Sequence, residues 1–262
     1  MEHRAIGALV ASVVGLGCNQ FGTKSCDEAT SWRVIDEALD AGITYLDTAD
    51  EYGAAYFDPT DPSGWGASEE ILGKALRGRR DEVVIASKFG AHPHGDDERG
   101  GNSARWVRQA IEESLRRLQT DRIDLYQVHF PDPSVPIAQT LGVLRELVDA
   151  GKVLEVGCCN FSVGQLREAA AAADAGAGPR FVSLQSALNL FQRGALDDVV
   201  PTCTELGMAF VPYYPLASGM LTGKYRRDMP LPTGTRLVDQ VSGVTKERVF
   251  SVRSAQHTWD PK

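Results

Sequence analysis

The stretch ITYLDTADEYG, residues 43–53, decides the fold. Its first half is an apolar, β-branched and aromatic run typical of a buried strand, and it turns polar at Asp47. Six further runs of this kind lie at residues 13–17, 83–88, 123–129, 154–160, 181–186 and 209–214. Stretches with helical spacing separate them, at residues 27–41, 68–78, 103–118, 137–150, 162–173 and 194–206. This alternation predicts βα units whose seven strands form a parallel sheet.

Short polar residues and glycines mark the ends of the predicted helices. Ser68 and Ser162 are expected to cap helix N-termini, because a hydroxyl oxygen accepts hydrogen bonds from the free N–H groups there. Four glycines follow helical spacing at positions where a left-handed residue is expected: Gly42, Gly78, Gly151 and Gly207. Residues 2–6 and 9–12 flank Gly7 and predict a short hairpin that closes the bottom of a barrel.

The C-terminal part of the chain has a different pattern. Residues 226–262 are rich in Arg, Pro, Gly, Thr and Ser, with weak periodicity and no recognisable eighth strand or helix. The prediction is one α/β domain, with a parallel barrel over residues 1–225 and an irregular segment over residues 226–262. A seven-stranded barrel exposes the edges of its first and last strands, which favours association into a homo-oligomer.

Composition places the chain among globular proteins and argues against several function classes. Hydrophobic residues make up 43% and charged residues 24% of the 262 residues, close to the average for soluble domains. Lys and Arg number 27 against 35 Asp and Glu, and no basic tract suits a nucleic acid backbone. We expect neither an export signal nor a membrane anchor. The five scattered cysteines predict free thiols in a reducing, cytoplasmic environment.

Polar side chains end the predicted strands, and four of them form a chemical set. Asp47 ends the second strand, and Tyr52 lies on the loop that follows it. Lys88 ends the third strand and His129 the fourth. In a parallel barrel the carboxyl ends of the strands and the loops after them meet on one face. The sequence therefore predicts that these four side chains lie together.

These residue types suit the reduction of a carbonyl group. A Lys ammonium stabilises a phenolate and lowers a Tyr pKa of ~10 toward the working range, while Asp47 keeps Lys88 charged and oriented. Tyr52 then serves as a general acid, and His129 orients the carbonyl oxygen. The hydride must come from a cofactor, because no side chain supplies one.

Each of the four residues also has a structural interpretation. Asp47 is suited to capping a turn, Lys88 to a surface position at a strand end, and His129 to a hydrogen-bonded position in the core. Tyr52, taken alone, does not indicate a function. Their joint occurrence at or just after consecutive strand ends favours the catalytic interpretation.

The order of the motifs resembles that of the aldo-keto reductases as far as Tyr225. The motifs are GLGCNQFG at residues 15–22, DTADEYG at 47–53, GASEEILGKAL at 66–76, ASKFG at 86–90, RIDLYQVHFPDP at 122–133, VGCCNFS at 156–162, SLQSALNL at 183–190 and PYYPLASGMLTGKY at 212–225. The resemblance implies a (β/α)8 TIM barrel with an N-terminal hairpin. It also implies that Tyr52 is the proton donor, that Lys88 and Asp47 tune it, and that His129 orients the carbonyl group of a small-molecule substrate.

The same resemblance implies NADPH as the hydride source, bound across the top of the barrel. Asn160 and Gln185 then bind the nicotinamide carboxamide, and Tyr213 stacks on the nicotinamide ring. The loop after the seventh strand is implied to wrap the pyrophosphate with four residues: Leu216, Ser218, Leu221 and Lys224. The first loop and the second and fifth strands complete the implied cofactor set with Cys18, Asn19, Asp47 and Cys159. No metal is implied.

The sequence departs from the family pattern within the barrel. Cys159 and Tyr214 stand where the family usually or often has Ser, and Cys159 is either a small buried residue or a changed contact to the carboxamide. The loop of residues 54–65 is longer than usual, and its aromatic residues either wall a substrate pocket or face solvent: Tyr56, Phe57 and Trp65.

A larger departure follows Tyr225. The eighth strand, its flanking helices and the basic segment for the adenosine phosphate are not recognisable there, and three arginines either contact phosphate or lie on a solvated loop: Arg226, Arg227 and Arg236. Elsewhere, His92 and His94 resemble a metal pair, but no Cys or carboxylate trio accompanies them, so we predict a loop without metal.

Two functions of different classes therefore compete. The first is NADPH-dependent reduction of an aldehyde or ketone, and the intact set of four residues favours it. The second is a catalytically weak or inactive family member, either a regulatory nucleotide-binding protein or a disrupted gene product, and the unrecognised C-terminal segment favours it. An unrelated TIM-barrel lyase or isomerase would need a phosphate site after the last strands, and the sequence offers none there.

Overall fold

The computed structural model describes residues 1–54, 64–91, 100–226, 228–233 and 235. Several residues singled out in the sequence lie outside these ranges: Tyr56, Phe57, His92, His94, Arg227, Arg236 and most of the segment 226–262. The expectations for them stay predictions.

Nine strands in the described ranges form two sheets. Their bounds are β1 (His3–Ile6), β2 (Leu9–Ser12), β3 (Gly15–Gly17), β4 (Tyr45–Asp47), β5 (Val84–Phe89), β6 (Ile123–Val128), β7 (Val153–Cys159), β8 (Ser183–Ala187) and β9 (Ala209–Tyr213). β1 and β2 pair antiparallel, and the seven strands from β3 to β9 pair in parallel and in chain order. No eighth parallel strand occurs within the described residues, and β3 and β9 are the edge strands of the sheet that these residues form.

Helices connect the parallel strands. Their bounds are α1 (Glu28–Asp40), α2 (Ala67–Ala75), α3 (Ala104–Leu118), α4 (Ile137–Asp149), α5 (Val163–Asp174) and α6 (Val199–Glu205). Short 3-10 segments lie at Arg80–Glu82, Gly194–Leu196 and Ala217–Thr222. This order of elements confirms the predicted α/β class.

Apolar side chains fill both faces of the parallel sheet. The larger cluster lies between the sheet and its helices and includes Ile35, Leu72, Ile111 and Leu144. The smaller cluster lies on the other face, where the hairpin packs against the strands: Ile6, Ala11, Tyr45, Val84, Ala86 and Leu125. The sheet of the described residues is therefore curled around an inner core, which confirms a fold of the predicted barrel type with an N-terminal hairpin.

Hydrogen bonds from two positions of the N-terminal hairpin, Ala8 and Ser12, hold it against the barrel. Ala8 donates its backbone N–H to the Glu155 carboxylate at 2.6 Å. The hydroxyl of Ser12 accepts from the backbone N–H of Thr44 at 2.9 Å and of Tyr45 at 3.2 Å. The turn needs Gly7, since its φ is 60° and a Cβ there would lie 2.5 Å from a Glu155 oxygen.

The predicted helix ends are partly confirmed. Ser162 caps α5 with a complete capping box. The expectation for Ser68 was wrong, because α2 begins at Ala67 with Gly66 as its N-cap. The Ser68 hydroxyl instead donates to the Cys18 carbonyl at 2.9 Å. Three glycines directly follow a helix C-cap with positive φ, as expected, while the fourth lies two residues beyond its C-cap: Gly42, Gly151, Gly207 and then Gly78.

The helix predicted over residues 194–206 was also wrong in extent. A 3-10 turn occupies Gly194–Leu196, and α6 begins at Val199. Pro201 explains the break, because a proline has no N–H and is tolerated in the first turn of a helix but not in its interior. A helix from residue 194 would place Pro201 in its third turn.

Candidate active site

Lys88 and Asp47 form a buried ion pair at the carboxyl ends of β5 and β4. The Lys88 Nζ lies 2.9 Å from the Asp47 carboxylate and 2.7 Å from the carbonyl oxygen of Thr48. Burial lowers the pKa of Lys88, but the charge of Asp47 and the hydrogen bond to it outweigh this cost, so the pKa is raised. Lys88 is therefore a fully buried ammonium at neutral pH.

Tyr52 lies over this ion pair on the loop after β4. Its hydroxyl is 3.2 Å from the Lys88 Nζ, which also lies 4.7 Å from the centroid of the phenol ring. The Tyr52 N–H donates to the Ala49 carbonyl at 3.2 Å, and its carbonyl accepts from the Ser68 N–H at 3.0 Å. Tyr52 lines a cavity, whereas Lys88 is 0% exposed. A molecule in the cavity would therefore meet the phenol and not the ammonium.

His129 directly follows β6 and completes the set of four. Its backbone N–H donates to the Phe89 carbonyl at 2.8 Å, and its carbonyl accepts from the Asn160 amide at 3.0 Å. The imidazole lies edge-on to the Tyr52 ring, with centroids 5.8 Å apart, and stacks on Phe130 at 4.3 Å. The structure thus brings Asp47, Tyr52, Lys88 and His129 together, as the pattern of strand ends predicts.

The cavity that Tyr52 and His129 line has a volume of about 1070 Å³. It runs from the hairpin and the edge strands β3 and β9 at one end to the loop after β9 at the other. Both edge strands of the described sheet line this cavity, which lies between them. Its size is at the upper end of ordinary ligand sites, roughly 300–1,000 Å³.

Three residues proposed for the nicotinamide end are connected at the edge of this cavity. The Tyr213 hydroxyl donates to the Asn160 side-chain oxygen at 2.8 Å, and the Asn160 N–H donates to the Gln185 carbonyl at 3.0 Å. The Gln185 amide donates to Asp47 at 2.9 Å, which ties this group to the ion pair. Burial raises the pKa of Tyr213 to about 12. Its phenol therefore keeps its proton and remains a donor at neutral pH.

The loop after β9 has backbone conformations that residues other than glycine rarely adopt. Tyr214, Ala217 and Ser218 have φ values of 59°, 47° and 54°, and Gly219 follows with 89°. Such left-handed conformations are uncommon outside glycine and concentrate at functional sites. Successive turns of this kind also form concave nests of backbone N–H groups that favour anions.

Three of the four residues predicted on this loop line the cavity: Leu216, Ser218 and Lys224. Leu221 is not among the lining residues. A Cβ at Gly219 would lie 2.6 Å from the Lys224 Nζ, so this ammonium rests directly against the loop backbone. A cation beside left-handed turns suits a phosphate group. The amide groups and the phenol at the other end suit a nicotinamide, so the residues present fit a nicotinamide dinucleotide.

Two of the four remaining predicted cofactor residues line the cavity, and the other two are buried away from it. Asn19 and Asp47 line the cavity, but the two thiols do not. Cys18 is 0% exposed, and its Sγ lies 3.4 Å from the Leu16 carbonyl. Cys159 is 1% exposed, and its Sγ lies 3.9 Å from the Gln185 side-chain oxygen. Burial raises the pKa of both thiols, so both stay protonated.

Two acidic residues beside Tyr52 escaped the sequence reasoning. Asp50 is 1% exposed, and neither of its carboxyl oxygens has a hydrogen-bond partner among the described residues. Burial and then the charges of Glu51 and Glu69 raise the Asp50 pKa well above its usual range, although Arg117 opposes them. Burial therefore favours the neutral form of Asp50. The neighbouring Glu69 is paired with Arg117 at 2.7 Å.

Glu51 is the second of these residues, and it faces His129. Its Oε1 lies 3.0 Å from the His129 Nδ1, and both side chains are largely buried. Two acids in the middle of DTADEYG, between a buried strand end and Tyr52, were the available signal. The sequence does not show whether such acids face solvent or the site, and so their role was missed.

The described residues contain no group of three or more His, Cys, Asp or Glu side chains placed to hold a metal ion. The same ranges contain no helix with the length and apolar character that are needed to span a bilayer.

Comparison with known proteins agrees with the motif order. The model of the aldo/keto reductase family matches residues 13–257. The chain is 40% identical over 232 residues to aldo-keto reductase YhdN of Bacillus subtilis, which covers 86% of this chain and 65% of that protein. It is 36% identical over 259 residues to the uncharacterized oxidoreductase YrpG of Bacillus subtilis, which covers 95% of this chain and 76% of that protein.

A plant relative gives a similar result. Probable aldo-keto reductase 1 of Glycine max is 37% identical over 218 residues, which are 81% of this chain and 58% of that protein. The chain thus spans between 58% and 76% of the length of these three relatives. The family model covers most of the chain, and the fold and the strand-end residues agree with it. The chain belongs to the aldo/keto reductase family.

Proposed function

We propose that the protein reduces an aldehyde or ketone to an alcohol with NADPH, and that Tyr52 is the general acid. One observation carries the proposal: the Tyr52 hydroxyl, which lines the cavity, lies 3.2 Å from a buried ammonium that is itself paired with a carboxylate at 2.9 Å. A purely structural tyrosine needs no such pair beneath it.

The Lys88–Asp47 pair makes the Tyr52 phenol a better acid. An ammonium in a dry environment stabilises the phenolate that forms when the proton leaves. Asp47 keeps the ammonium charged, and the Thr48 carbonyl accepts a further hydrogen bond from the Lys88 Nζ. The proton thus passes from the Tyr52 oxygen to the oxygen of the carbonyl group, which becomes the hydroxyl of the alcohol.

His129 orients the carbonyl oxygen in this proposal. It lines the same cavity as Tyr52, and the two rings are edge-on to each other, so an oxygen between them would contact both. Donors placed where negative charge develops lower the barrier, because they need no reorganisation during the reaction.

The cofactor residues fit a bound NADPH, which supplies the hydride that the carbonyl carbon accepts. Asn160, Gln185 and Tyr213 would hold the nicotinamide end beside Asp47. Leu216, Ser218 and Lys224 would hold the phosphates on the loop after β9. The preference for NADPH over NADH rests on the family resemblance.

The first experiment is a titration of the purified full chain with NADPH and, separately, with NADH. Saturable quenching of the protein fluorescence is expected, because Tyr213 is proposed to stack on the nicotinamide ring. Oxidation of NADPH is then measured with a panel of aldehydes and ketones. Turnover that is lost in Tyr52→Phe supports the proposal. A folded chain that binds neither cofactor contradicts it.

A second function is favoured by the open side of the barrel. Among the described residues β3 and β9 are edge strands, and they line the same cavity as the proposed cofactor residues. Cofactor binding without turnover on any carbonyl compound would indicate a regulatory nucleotide-binding protein or an inactive family member instead.

We also propose a cytoplasmic location and no partner among nucleic acids or membranes, on the basis of the free thiols and the acidic net charge. The open edges make a homo-oligomer a further proposal. Sedimentation of the purified chain tests the homo-oligomer, and fractionation of cells that express the chain tests its cytoplasmic location.

A further inference from the structure

Ser68, at the start of α2, contacts the loop that carries Tyr52 through both its backbone and its side chain. Its N–H donates to the Tyr52 carbonyl at 3.0 Å. Its hydroxyl oxygen lies 2.9 Å from the Thr48 hydroxyl and 2.9 Å from the Cys18 carbonyl. Ser68, Thr48 and Cys18 are all fully buried. One helix residue thus joins the loops that follow β3 and β4.

The chemistry of the three groups fixes the direction of the side-chain hydrogen bonds. A carbonyl oxygen only accepts, and a serine hydroxyl has a single hydrogen, so the Ser68 hydrogen goes to Cys18. The Ser68 oxygen therefore accepts from the Thr48 hydroxyl. Because all three groups are buried, loss of the middle hydroxyl would leave the other two without this partner.

The residues at both ends of this chain of hydrogen bonds also hold the buried ion pair. The Thr48 carbonyl accepts from the Lys88 Nζ at 2.7 Å. The Cys18 N–H donates to the Asp47 carbonyl at 2.8 Å. The Ser68 hydroxyl therefore connects the backbone next to the ammonium with the backbone next to the carboxylate.

The Ser68 N–H is available to Tyr52 because of where α2 begins. The helix starts at Ala67, with Gly66 as its N-cap. The first N–H groups of a helix have no partner within the helix. The Tyr52 carbonyl accepts from one of them, which attaches the loop to α2 at the residue that carries the phenol.

We propose that Ser68 is a positioning residue that sets the distance between the Tyr52 phenol and the Lys88 ammonium. Its N–H holds Tyr52, and its hydroxyl holds Thr48, whose carbonyl holds Lys88. The phenol oxygen and the Nζ are 3.2 Å apart and belong to different elements, the loop after β4 and strand β5. The consequence for turnover rests on the proposed function, because it concerns the proton that Tyr52 transfers.

Amide hydrogen exchange of the full chain, without cofactor or substrate, measures the hydrogen bonds directly. In Ser68→Ala we expect the Cys18 amide, which is bonded to Asp47, to exchange at least about tenfold faster than in the parent chain. The Leu144 amide in the buried face of α4 is the reference for global stability and should change less. An unchanged Cys18 amide, or equal acceleration of Cys18 and Leu144, would overturn the proposal.

Ser31→Ala is the matched control for this measurement. Ser31 is a serine of α1 that is buried as completely as Ser68, and its hydroxyl donates to the Asp27 carbonyl at 2.7 Å. The substitution removes a comparable hydrogen bond away from the proposed site. It should leave the exchange of the Cys18 amide unchanged relative to Leu144.

Turnover of benzaldehyde with NADPH is the second readout. Ser68→Ala should lower kcat about 10- to 100-fold, since a misplacement of about 1 Å has an effect of that size. The KM for benzaldehyde should change little, because the phenol is shifted and not removed. Ser31→Ala should resemble the parent chain. Equal kcat in Ser68→Ala and the parent, or an equal loss in Ser31→Ala, would overturn the proposal.

Thr48→Val tests whether Ser68 acts through the Thr48 hydroxyl. Valine has the shape of threonine without the hydroxyl, so it removes the same contact from the other end. The kcat of the double variant should lie within about twofold of that of Ser68→Ala, as expected for two members of one hydrogen-bond network. Losses that multiply would overturn the proposal. If Ser68→Ala does not fold, unchanged kcat and Cys18 exchange in Thr48→Val would do so as well.

The two measurements separate this inference from the proposed function. A parent chain that reduces no carbonyl compound would contradict the proposed function, and the exchange of the Cys18 amide would still decide on Ser68. A parent chain that reduces benzaldehyde, with Ser68→Ala equal to it in both turnover and exchange, would overturn the inference alone.

Discussion

The two sides of the barrel differ in how deeply their strands are buried. On the closed side, every residue of β5 and β6 is buried, and these strands carry Lys88 and lead into His129. On the open side, no residue of the edge strand β9 is fully buried, and this strand carries Tyr213. Lys88 therefore lies on a fully buried strand and Tyr52 on a buried part of the loop after β4, while Tyr213 lies on a partly exposed edge.

The difference predicts two kinds of substitution effect. Changes on the closed side should reduce turnover or stability, because the groups there are held by buried pairs that leave no room for rearrangement. Changes on the open side should mainly reduce affinity for the cofactor, because the fold depends little on that edge. The following predictions test this division.

The largest effect is expected for Tyr52→Phe on the closed side. Loss of the general acid should reduce kcat for carbonyl reduction by about 10²–10⁴-fold. Binding of NADPH should change little, since the ring remains. Steady-state kinetics and a fluorescence titration of the same preparation measure both quantities.

Tyr225→Phe is the matched control, because this tyrosine is also buried and its hydroxyl has no hydrogen-bond partner in the described part of the chain. It should retain turnover. Full turnover in Tyr52→Phe would contradict the assigned role.

Lys88→Met is expected to have the second largest effect. It leaves Asp47 without its partner, and breaking a buried pair costs about 3–5 kcal/mol of unfolding free energy. Without the ammonium the phenolate is less favoured, so any high-pH loss of activity should move to higher pH. Denaturant unfolding and the pH profile of kcat/KM are the measurements.

The control for this change is Lys152→Met, whose lysine pairs with Glu112 at the surface. An exposed pair contributes about 1 kcal/mol or less. If the two variants lost the same stability, and the pH profile of Lys88→Met matched the parent, the buried pair would have neither of its assigned effects.

Tyr213→Ala tests the open side. Loss of the stacking ring should weaken NADPH binding about tenfold, in the range of aromatic stacking energies of ~0.5–1.5 kcal/mol. The turnover at saturating cofactor should change much less. Tyr213→Phe keeps the ring and removes the hydrogen bond to Asn160, so it should bind nearly as well as the parent. Equal affinity in Tyr213→Ala and the parent would remove the ring from the cofactor site.

Asp50→Asn should have the smallest effect on turnover, and its effect lies in the pH dependence of stability. The pKa of Asp50 is raised in the native state. Protonated Asp50 therefore adds fully to the free energy of unfolding below the unfolded pKa of ~3.9, and this contribution is lost as pH rises. The parent should therefore lose up to ~1.4 kcal/mol per pH unit that Asp50→Asn does not lose. Chemical denaturation across pH, with the exposed Asp121→Asn as control, measures this. Parallel curves for the parent and Asp50→Asn would contradict the neutral form.

The sequence was sufficient to predict the strand ends and the residues on them. Asp47, Lys88 and His129 each follow an apolar run, and parallel strands bring their carboxyl ends to one face. The predicted strands agree with the observed ones within a few residues. Each of these signals lies within one short stretch of the chain, so contacts between distant parts of the chain do not alter it.

The sequence was not sufficient where tertiary contacts decide the outcome. Ser68 has the right residue type for a cap, but its hydroxyl contacts the Cys18 carbonyl on a distant part of the chain. Asp50 and Glu51 read as ordinary loop acids, because burial depends on which elements cover them. The break before α6 could have been predicted, since Pro201 restricts where that helix begins.

The most direct test of carbonyl reduction at this site uses NADPH with deuterium on the hydride-donating carbon and benzaldehyde as the probe. The account predicts that the parent chain yields benzyl alcohol with one deuterium on its carbinol carbon, seen by mass spectrometry, and that Tyr52→Phe yields almost none. Binding of NADPH without deuterium in any alcohol across a panel of carbonyl compounds would contradict it. So would equal product from Tyr52→Phe and the parent chain.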